Sequence, residues 1–153
     1  MEKTLIIIKP GAVQRGLIGE VLSRFEKKGL QVCGIKMIRF TEESVSEHYA
    51  HLSQKPFFNR IKRAMMISPV IVCCLQGVDA VRVVRHLVGA TNGREALPGT
   101  VRGDFSMSVQ ENIVHASDST DSAETELTRF FSPEELFDYD FNNRGFIYAN
   151  NEF

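Results

Sequence analysis

The stretch TLIIIKPGAVQRGLIGEVLSRFEKKG (residues 4–29) contains two hydrophobic patterns, one directly after the other. Residues 4–8 form a short apolar run rich in β-branched side chains, and the run stops at Lys9, which predicts a buried strand. Between residues 13 and 25 the apolar residues recur every three or four positions, which predicts a helix with one apolar face. Gly29 suits the C-terminal end of that helix, because glycine adopts the left-handed conformation without strain. The chain therefore begins with a strand–helix unit.

Strand-like and helix-like patterns continue to alternate after this unit. The glycine-rich residues 89–104 show no regular pattern and are predicted to form a loop, and the polar and aromatic tail, residues 141–153, is predicted to lie over the surface or against another subunit. The other predicted elements are a strand at 31–40, a helix capped by Thr41, a helix at 60–66, a strand at 69–75, a helix capped by Asp79, a strand at 112–114, and a helix capped by Ser119 or Thr120. This order predicts an α/β sandwich with helices covering one face of a small sheet, and it leaves the strand order open.

Length and composition limit the class of protein. A chain of 153 residues with 43% hydrophobic and 24% charged residues suits one domain, residues 1–153, with a sizeable core. The net charge of -1 argues against a broad basic surface for duplex nucleic acid, although a local basic pocket is still possible. No membrane span or signal peptide is expected, and the three cysteines form no C-x-x-C pair. A reducing, cytoplasmic location without a disulfide framework or zinc site is predicted.

Familiar phosphate-binding motifs are absent. Gly11 and Gly16 have the spacing of a P-loop, but Leu17 and Ile18 follow where that loop needs a lysine and a hydroxyl. No G-x-G-x-x-G occurs, and GDFS (residues 103–106) is an isolated near-match to a protein-kinase motif. If the protein binds phosphate, it does so through another arrangement.

A histidine at the end of a predicted strand is the strongest candidate for chemistry. His115 lies in NIVHASDS (residues 112–119), where small polar residues follow it. Glu126 falls on the border of the apolar face of the next helix, so its carboxylate can turn inward toward an imidazole. A nucleophilic histidine needs one free ring nitrogen and an acceptor for the other, and Ser117 and Glu126 are available for that support. The alternatives are a strand-end histidine with one local hydrogen bond and a surface glutamate.

Phosphate-compatible side chains lie at the ends of several predicted elements. Lys9 ends the first strand, Arg85 borders the apolar face of its helix, and Arg102 lies in the glycine-rich loop. Thr91 and Asn112 are close to Arg102 in sequence. Each cation alone is more typical of a solvated surface residue. Their joint placement indicates a pocket for a small anion.

Several collinear segments resemble the nucleoside diphosphate kinase family. The active-site signature of that family is asparagine, two apolar residues, histidine, a small residue and Ser-Asp, which NIVHASD (residues 112–118) matches. The similarity covers nearly the whole chain, through TLIIIKPGAVQRGLIGEVLSRFEKKG (4–29), HYAHLSQKPFF (48–58), GTVRGDF (99–105), NIVHASDSTDSAETE (112–126) and FFSPEEL (130–136).

The resemblance implies a ferredoxin-like βαββαβ sandwich with a four-stranded antiparallel sheet. It also implies a cytoplasmic transferase of nucleotide metabolism that moves the γ-phosphoryl group of a nucleoside triphosphate, typically ATP, to a nucleoside diphosphate in a ping-pong reaction. His115 matches the histidine that is phosphorylated. Mg²⁺ is the implied cofactor, held mainly by the nucleotide phosphates and not directly by the protein, and a homo-oligomer, tetramer or hexamer, is implied. Matched positions are Lys9, Tyr49, Arg85, Thr91, Arg102 and Asn112 for phosphates, ribose or catalytic groups, Phe57 for the base, and Ser117 and Glu126 for support of the histidine.

The chain departs from the usual family pattern in three places. It has Lys-Pro-Gly-Ala at residues 9–12 where Lys-Pro-Asp-Gly is common, and Ala116 where glycine is more usual. In the glycine-rich loop, Gly93 replaces a frequent proline and is expected to make the loop more flexible. These changes affect subunit contacts and stability more than chemistry, since every matched functional position is retained.

Two other functions fit the same sequence. A family member with little kinase activity could act as a nucleotide-binding or single-stranded nucleic-acid-binding regulator through Arg60, Lys62 and Arg63. The near-neutral net charge makes nucleic acid the less favoured partner. A third possibility is transfer of the phosphoryl group from His115 to a partner protein.

Overall fold

The computed structural model describes residues 1–152 and contains one four-stranded sheet. The strands are β1 (Glu2–Ile8), β2 (Gln31–Ile38), β3 (Val70–Gly77) and β4 (Val114–Ala116), and they lie in the order β2-β3-β1-β4. Every neighbouring pair is antiparallel. The helices within this range are α1 (Pro10–Gln14), α2 (Ile18–Lys28), α3 (Glu42–His48), α4 (Phe58–Met66), α5 (Ala80–Val88), α6 (Val101–Phe105), α7 (Thr120–Phe130) and α8 (Arg144–Ile147). The predicted antiparallel βαββαβ arrangement is confirmed, with α3 and α4 inserted between β2 and β3.

Helices cover both faces of the sheet, so the prediction of one covered face was wrong. Ile6 and Ile8 of β1 pack into a core that includes Phe25 of α2 and residues of α5. Leu5 and Ile7 enter a second core with residues of α3, α4 and α7. All eight residues of β3 are buried. A strand that is apolar on successive residues needs cover on both faces, and the continuous runs in β1 and β3 contain this signal.

Three predicted elements have different bounds in the structure. The first helix is divided into α1 and α2 because the backbone turns at Gly16, whose φ is +69°. The predicted loop contains α6, whose first turn is capped by a hydrogen bond from the Gly103 N–H to the Thr100 hydroxyl (3.0 Å). The last strand covers residues 114–116 and not 112–114, so His115 lies inside it, opposite Ile7 of β1.

The side chain that caps α5 comes from another element. Asp79 precedes the helix with a φ of 51°, and its side chain makes no capping hydrogen bond. It pairs instead with Arg82. The Val81 N–H donates to the Glu2 carboxylate (2.5 Å). Glu2, at the start of β1, therefore caps α5 in place of Asp79. Thr41 and Ser119 cap their helices as predicted.

The described part of the tail, residues 141–152, lies against its own chain. The Ile147 side chain packs where a Cβ on Gly29 would lie. The Val78 N–H donates to the Tyr148 hydroxyl (3.2 Å), which ties the tail to the end of β3. Within residues 1–152, each helix is too short or too polar to cross a bilayer.

Gly93 is required by a close approach in the glycine-rich loop. A Cβ at this position would lie 2.3 Å from the Ser106 carbonyl oxygen, and the Gly93 N–H donates to the Ser108 carbonyl (3.1 Å). The loop is therefore held against the segment after α6. The absence of a side chain allows this packing, which the sequence pattern did not reveal.

Replacing Gly93 with alanine is expected to lower the free energy of unfolding by about 1–3 kcal/mol, because the new methyl group overlaps backbone atoms. Urea unfolding followed by circular dichroism measures the change. Gly19→Ala is the matched control, since Gly19 lies in α2 with no atom within 4 Å of the added Cβ. That control is expected to raise stability by up to about 1 kcal/mol. Equal stability of the Gly93→Ala variant and the wild type would contradict the packing described for the loop.

Candidate active site

A cleft of about 740 Å³ is lined by side chains from most elements of the fold. Its walls come from the ends of β1 and α3, from α4, α5, α6 and α7, and from β4 with the segment before it. Ser117 does not line the cleft but lies directly behind it, fully buried. The cleft brings together nine of the ten predicted site residues, namely Lys9, Tyr49, Phe57, Arg85, Thr91, Arg102, Asn112, His115 and Glu126.

His115 is held by a carboxylate on α7. Its Nε2 lies 3.1 Å from both Glu126 carboxylate oxygens. The Ser117 hydroxyl donates to Glu126 Oε2 (2.6 Å) and accepts a hydrogen bond from the Leu5 N–H (3.3 Å). This chain of contacts ties the imidazole to the centre of the sheet. His115 Nδ1 forms no hydrogen bond with residues 1–152, so this nitrogen is free for chemistry.

The Glu126 carboxylate remains ionised despite its burial. Burial alone would raise its pKa, but the hydrogen bond and charge of His115 and the Ser117 hydroxyl outweigh that effect and lower the pKa below its ordinary value. An ionised carboxylate accepts a hydrogen bond from the N–H of Nε2. It therefore favours the imidazole tautomer that carries its proton on Nε2 and a free lone pair on Nδ1. The arrangement orients the imidazole of His115 and leaves its Nδ1 available.

Lys9 brings a half-buried ammonium group to the floor of the cleft. Its Nζ donates to Asn112 Oδ1 (2.5 Å) and to the Gln110 carbonyl (3.1 Å). Asn112 in turn donates to the Thr91 carbonyl (3.0 Å). Burial, followed by the nearby Arg102, lowers the pKa of Lys9 to about 8, although Glu111 partly opposes the change. The ammonium group lacks a direct carboxylate partner within the described residues and can gain charge compensation from an anion.

Arg102 is a buried cation surrounded by backbone carbonyls. It is only 6% exposed, and its guanidinium donates to the carbonyls of Asn112 (3.1 Å), Gly89 (3.0 Å) and Val114 (2.8 Å). Burial and the nearby Arg85 lower its pKa to about 10. Arg85 lines the same cleft, and its guanidinium forms no hydrogen bond or ion pair with residues 1–152. Both cations therefore favour an anionic ligand, and Arg102 also joins α5 to β4.

The backbone leading to His115 is strained. Ile113 has a φ of +74°, which is rare for a β-branched residue, and it is buried in the core. Such a conformation costs about 1–3 kcal/mol and persists where the surrounding packing requires it. The turn places the Asn112 side chain on Lys9 and its carbonyl on Arg102. The strain thus lies directly beside the candidate site.

Two aromatic residues form the wall opposite the cations. Tyr49 is buried at the end of α3, and its ring lies 6.5 Å from the His115 ring in an edge-on orientation. Burial raises the pKa of its phenol, and Glu126 adds to that effect, so the hydroxyl stays neutral. Phe57 precedes α4 and is 37% exposed, which leaves a ring face open for a planar ligand.

The family model described as nucleoside diphosphate kinase matches residues 2–136, most of the chain. The chain belongs to the nucleoside diphosphate kinase family. A curated nucleoside diphosphate kinase of Parabacteroides distasonis is 66% identical over all 153 residues and over the whole of that protein. A second, from Pyrococcus horikoshii, is 52% identical over 141 residues, which are 90% of each chain.

Solved structures of nucleoside diphosphate kinases have the same fold. The enzyme of Halobacterium salinarum in complex with CDP superposes with a TM-score of 0.94 at 42% identity, covering 96% of this chain and 98% of that one. An enzyme from Encephalitozoon cuniculi superposes with a TM-score of 0.93 at 38% identity, covering 97% and 100%. The ferredoxin-like fold implied by the resemblance is therefore confirmed.

His48 is a site residue that the sequence analysis missed. Its ring packs edge-on against His115 with centroids 4.8 Å apart, and its Nδ1 accepts a hydrogen bond from Arg129 (3.1 Å). Burial, followed by the charge of His115, lowers the pKa of His48 to about 3, so it stays neutral. The signal was available in the sequence, since His48 lies three residues after Val45 on the inward face of α3.

The side chains of Arg60, Lys62 and Arg63, the cluster considered for single-stranded nucleic acid, have different surroundings in the structure. Lys62 pairs with Glu42 and lies 5.2 Å from the centre of the Phe58 ring. Arg60 lines the cleft, whereas Arg63 does not. The three cations do not form one free basic strip.

Proposed function

We propose that this protein catalyses the transfer of the terminal phosphoryl group from a nucleoside triphosphate to a nucleoside diphosphate by a ping-pong reaction through phospho-His115. The family is one of phosphotransferases. The observation that supports the mechanism is His115 Nε2 held at 3.1 Å by Glu126 inside a cleft whose lining includes the cations Lys9, Arg60, Arg85 and Arg102. A tautomer-fixed imidazole facing phosphate-binding groups is suited to nucleophilic attack on phosphorus.

The bonds change as follows. The His115 Nδ1 lone pair forms a bond to the γ-phosphorus while the bond from phosphorus to the β–γ bridging oxygen breaks, and the nucleoside diphosphate leaves with that electron pair. The positive charge that develops on the imidazolium is stabilised by Glu126. In the second half, the terminal oxygen of another diphosphate attacks the phosphohistidine and Nδ1 recovers its lone pair. The proton on Nε2 stays in place throughout.

Charge stabilisation comes from the floor of the cleft. Lys9, Arg85 and Arg102 place positive charge where the equatorial and leaving oxygens gather negative charge. Asn112 orients Lys9, and the Thr91 carbonyl holds Asn112. Because these groups are already positioned, little reorganisation is needed during the reaction.

The nucleobase is proposed to stack on Phe57, with Tyr49 closing the wall toward His115. Any base offers a π-face, so stacking supports broad specificity toward ribo- and deoxyribonucleotides. The Halobacterium salinarum relative was solved with CDP, which supports a diphosphate ligand in the corresponding cleft.

The residues of the cleft fit a magnesium ion carried by the nucleotide. Among residues 1–152 the one cluster of three potential metal ligands is His48, His115 and Glu126, and His115 and Glu126 already bind each other. Asp118 and Glu111 also line the cleft and offer carboxylates to metal-bound water. When bound, Mg²⁺ would neutralise phosphate charge. We propose that the phosphates supply most of its direct ligands.

We also propose a homo-oligomer acting in the cytoplasm. Strand β2 is an edge of the sheet and exposes Ile35 and Met37, next to exposed Phe137 and Tyr139. Exposed apolar side chains along an edge strand favour association with another copy. All three cysteines are free and buried, as expected in a reducing compartment.

Initial-rate kinetics test the proposed function. Rates with ATP as donor and GDP as acceptor, measured while both concentrations vary, are expected to give parallel double-reciprocal lines. Lines that intersect would indicate a ternary complex and would exclude the phosphohistidine route. No transfer with any acceptor would favour the regulatory alternative.

The lowered pKa of Lys9 predicts a pH dependence. The value of kcat/KM is expected to fall above about pH 8, because the free enzyme loses the Lys9 charge there. Bound phosphates stabilise that charge, so kcat is expected to stay level to higher pH. Lys9→Arg is expected to move the decline in kcat/KM upward by one pH unit or more, although its absolute rate is lower. An unchanged profile in this variant would assign the decline to another group.

The lowered pKa of Lys9 also makes the free energy of unfolding depend on pH. The pKa of Lys9 is lower in the folded protein than its ordinary value of 10.5, so the unfolded chain binds more protons between about pH 8 and 10.5. The contribution of Lys9 to stability therefore becomes more favourable as the pH rises through that window.

A further inference from the structure

Arg60 is a cleft residue for which the proposed mechanism has no role. It lines the cleft on α4 and is exposed, and its guanidinium forms no ion pair or hydrogen bond with residues 1–152. The neighbouring Lys62 pairs with Glu42. Arg60 is therefore a free cation available to a ligand.

The cleft has two chemically different ends. Lys9, Arg102 and His115 form a charged end, whereas Phe57 and Ile61 on the α4 side join Val109 in an apolar end. Phosphates belong at the first end and a base at the second. Arg60 lies with the apolar group, away from the phosphate-binding cations in sequence and on a different element.

Arg60 lies in the first turn of α4, and Phe57 is the N-cap residue directly before that helix. The Arg60 N–H donates to the Phe57 carbonyl (3.1 Å), so the two residues are one turn apart. The side chains of an N-cap residue and of the residue three positions later lie close together, as they do in a capping box. A base stacked on Phe57 would therefore present its edge to the Arg60 guanidinium.

A guanidinium can only donate hydrogen bonds, so it distinguishes between base edges. Guanine presents two acceptors, O6 and N7, which match the forked donors of arginine. Adenine presents an amino donor beside N7 and cannot accept both bonds. The same difference separates the 4-oxo group of uracil from the 4-amino group of cytosine.

We propose that Arg60 is a specificity residue that favours nucleotides with an oxo group on the base edge, guanine and hypoxanthine above adenine and uracil above cytosine. This inference rests on the proposed phosphotransfer function. Stacking on Phe57 admits every base, and Arg60 then ranks them by the acceptors that they offer.

The test uses isolated phosphoenzyme and measures the second-order rate constant for its discharge by GDP, IDP, ADP, UDP and CDP. We expect wild type to react faster with GDP and IDP than with ADP. In Arg60→Ala the ratio of the GDP to the ADP constant is expected to fall about 5- to 10-fold, mainly through the GDP constant. IDP separates this contact from one with the guanine 2-amino group, which IDP lacks.

Two further variants complete the test. Arg60→Lys keeps the charge without the forked donors and is expected to lose most of the preference. Arg63→Ala removes a nearby exposed cation that does not line the cleft and is expected to keep the wild-type ratio. An equal fall for all five diphosphates, or no change in the ratios, would overturn the role of Arg60. Failure to form phosphoenzyme at all would instead contradict the proposed function.

Discussion

Replacing His115 with alanine is expected to abolish phosphotransfer while the protein remains folded. The imidazole is the proposed nucleophile, and removal of a nucleophile in comparable enzymes lowers kcat by about 10⁴-fold or more. Glu126 loses its bond to Nε2 but keeps the Ser117 hydroxyl, so the expected cost in stability is only about 1 kcal/mol. Steady-state turnover of GDP with ATP and thermal unfolding together measure both effects.

His86→Ala is the matched control for this variant. His86 lies on α5 but does not line the cleft, so its removal is expected to change turnover by less than about 2-fold. Turnover near the wild-type rate in His115→Ala would refute the proposed mechanism. Loss of activity together with loss of the folded circular dichroism spectrum would call for the same comparison in His115→Gln, which retains bulk and a polar end.

Arg102→Ala is expected to impair both activity and stability. The guanidinium lies at the proposed phosphate end of the cleft, and loss of such a preorganised charge is expected to lower kcat/KM by about 10²- to 10³-fold through kcat and nucleotide affinity together. The same change leaves the carbonyls of Gly89, Asn112 and Val114 without their partner. Each orphaned group costs about 1–3 kcal/mol, which outweighs relief of the buried charge, so the net loss of stability is expected to be about 3 kcal/mol.

Two substitutions separate the roles of Arg102. Arg102→Lys keeps a positive charge but cannot reach three carbonyls in a forked geometry, so it is expected to recover part of the activity and little of the stability. Arg82→Ala removes an exposed arginine on α5 and is expected to change neither property measurably. If Arg102→Ala kept the wild-type kcat/KM, Arg102 would have a structural role alone.

The sequence predicted the elements better than their arrangement. The apolar runs of β1 and β3 and the apolar faces of α2, α5 and α7 were evident from spacing, since side-chain periodicity is local. Strand order could not be derived from those patterns, and the antiparallel sheet came from the family resemblance. A continuous apolar run indicates a buried strand but does not identify the layers that bury its two faces, so cover on both faces was not predicted.

Some features of the candidate site could be predicted from the sequence, and others depend on the fold. Lys9 and His115 could be singled out because each lies near an element end or beside polar residues. The three carbonyls around Arg102 come from the residue directly after α5, from β4 and from the segment before β4, and only the folded chain brings them together. Ile113 has a positive φ, and β4 begins at the next residue, two positions later than predicted. A positive φ is rare in a β-branched residue, so the sequence gives no local signal of it.

The most direct test of the account is to incubate the protein with γ-labelled ATP and Mg²⁺ and to locate the label by mass spectrometry. We expect acid-labile label on His115 Nδ1. An added nucleoside diphosphate should remove this label and become the labelled triphosphate. Label on another residue, absence of label, or label that diphosphates cannot discharge would contradict it.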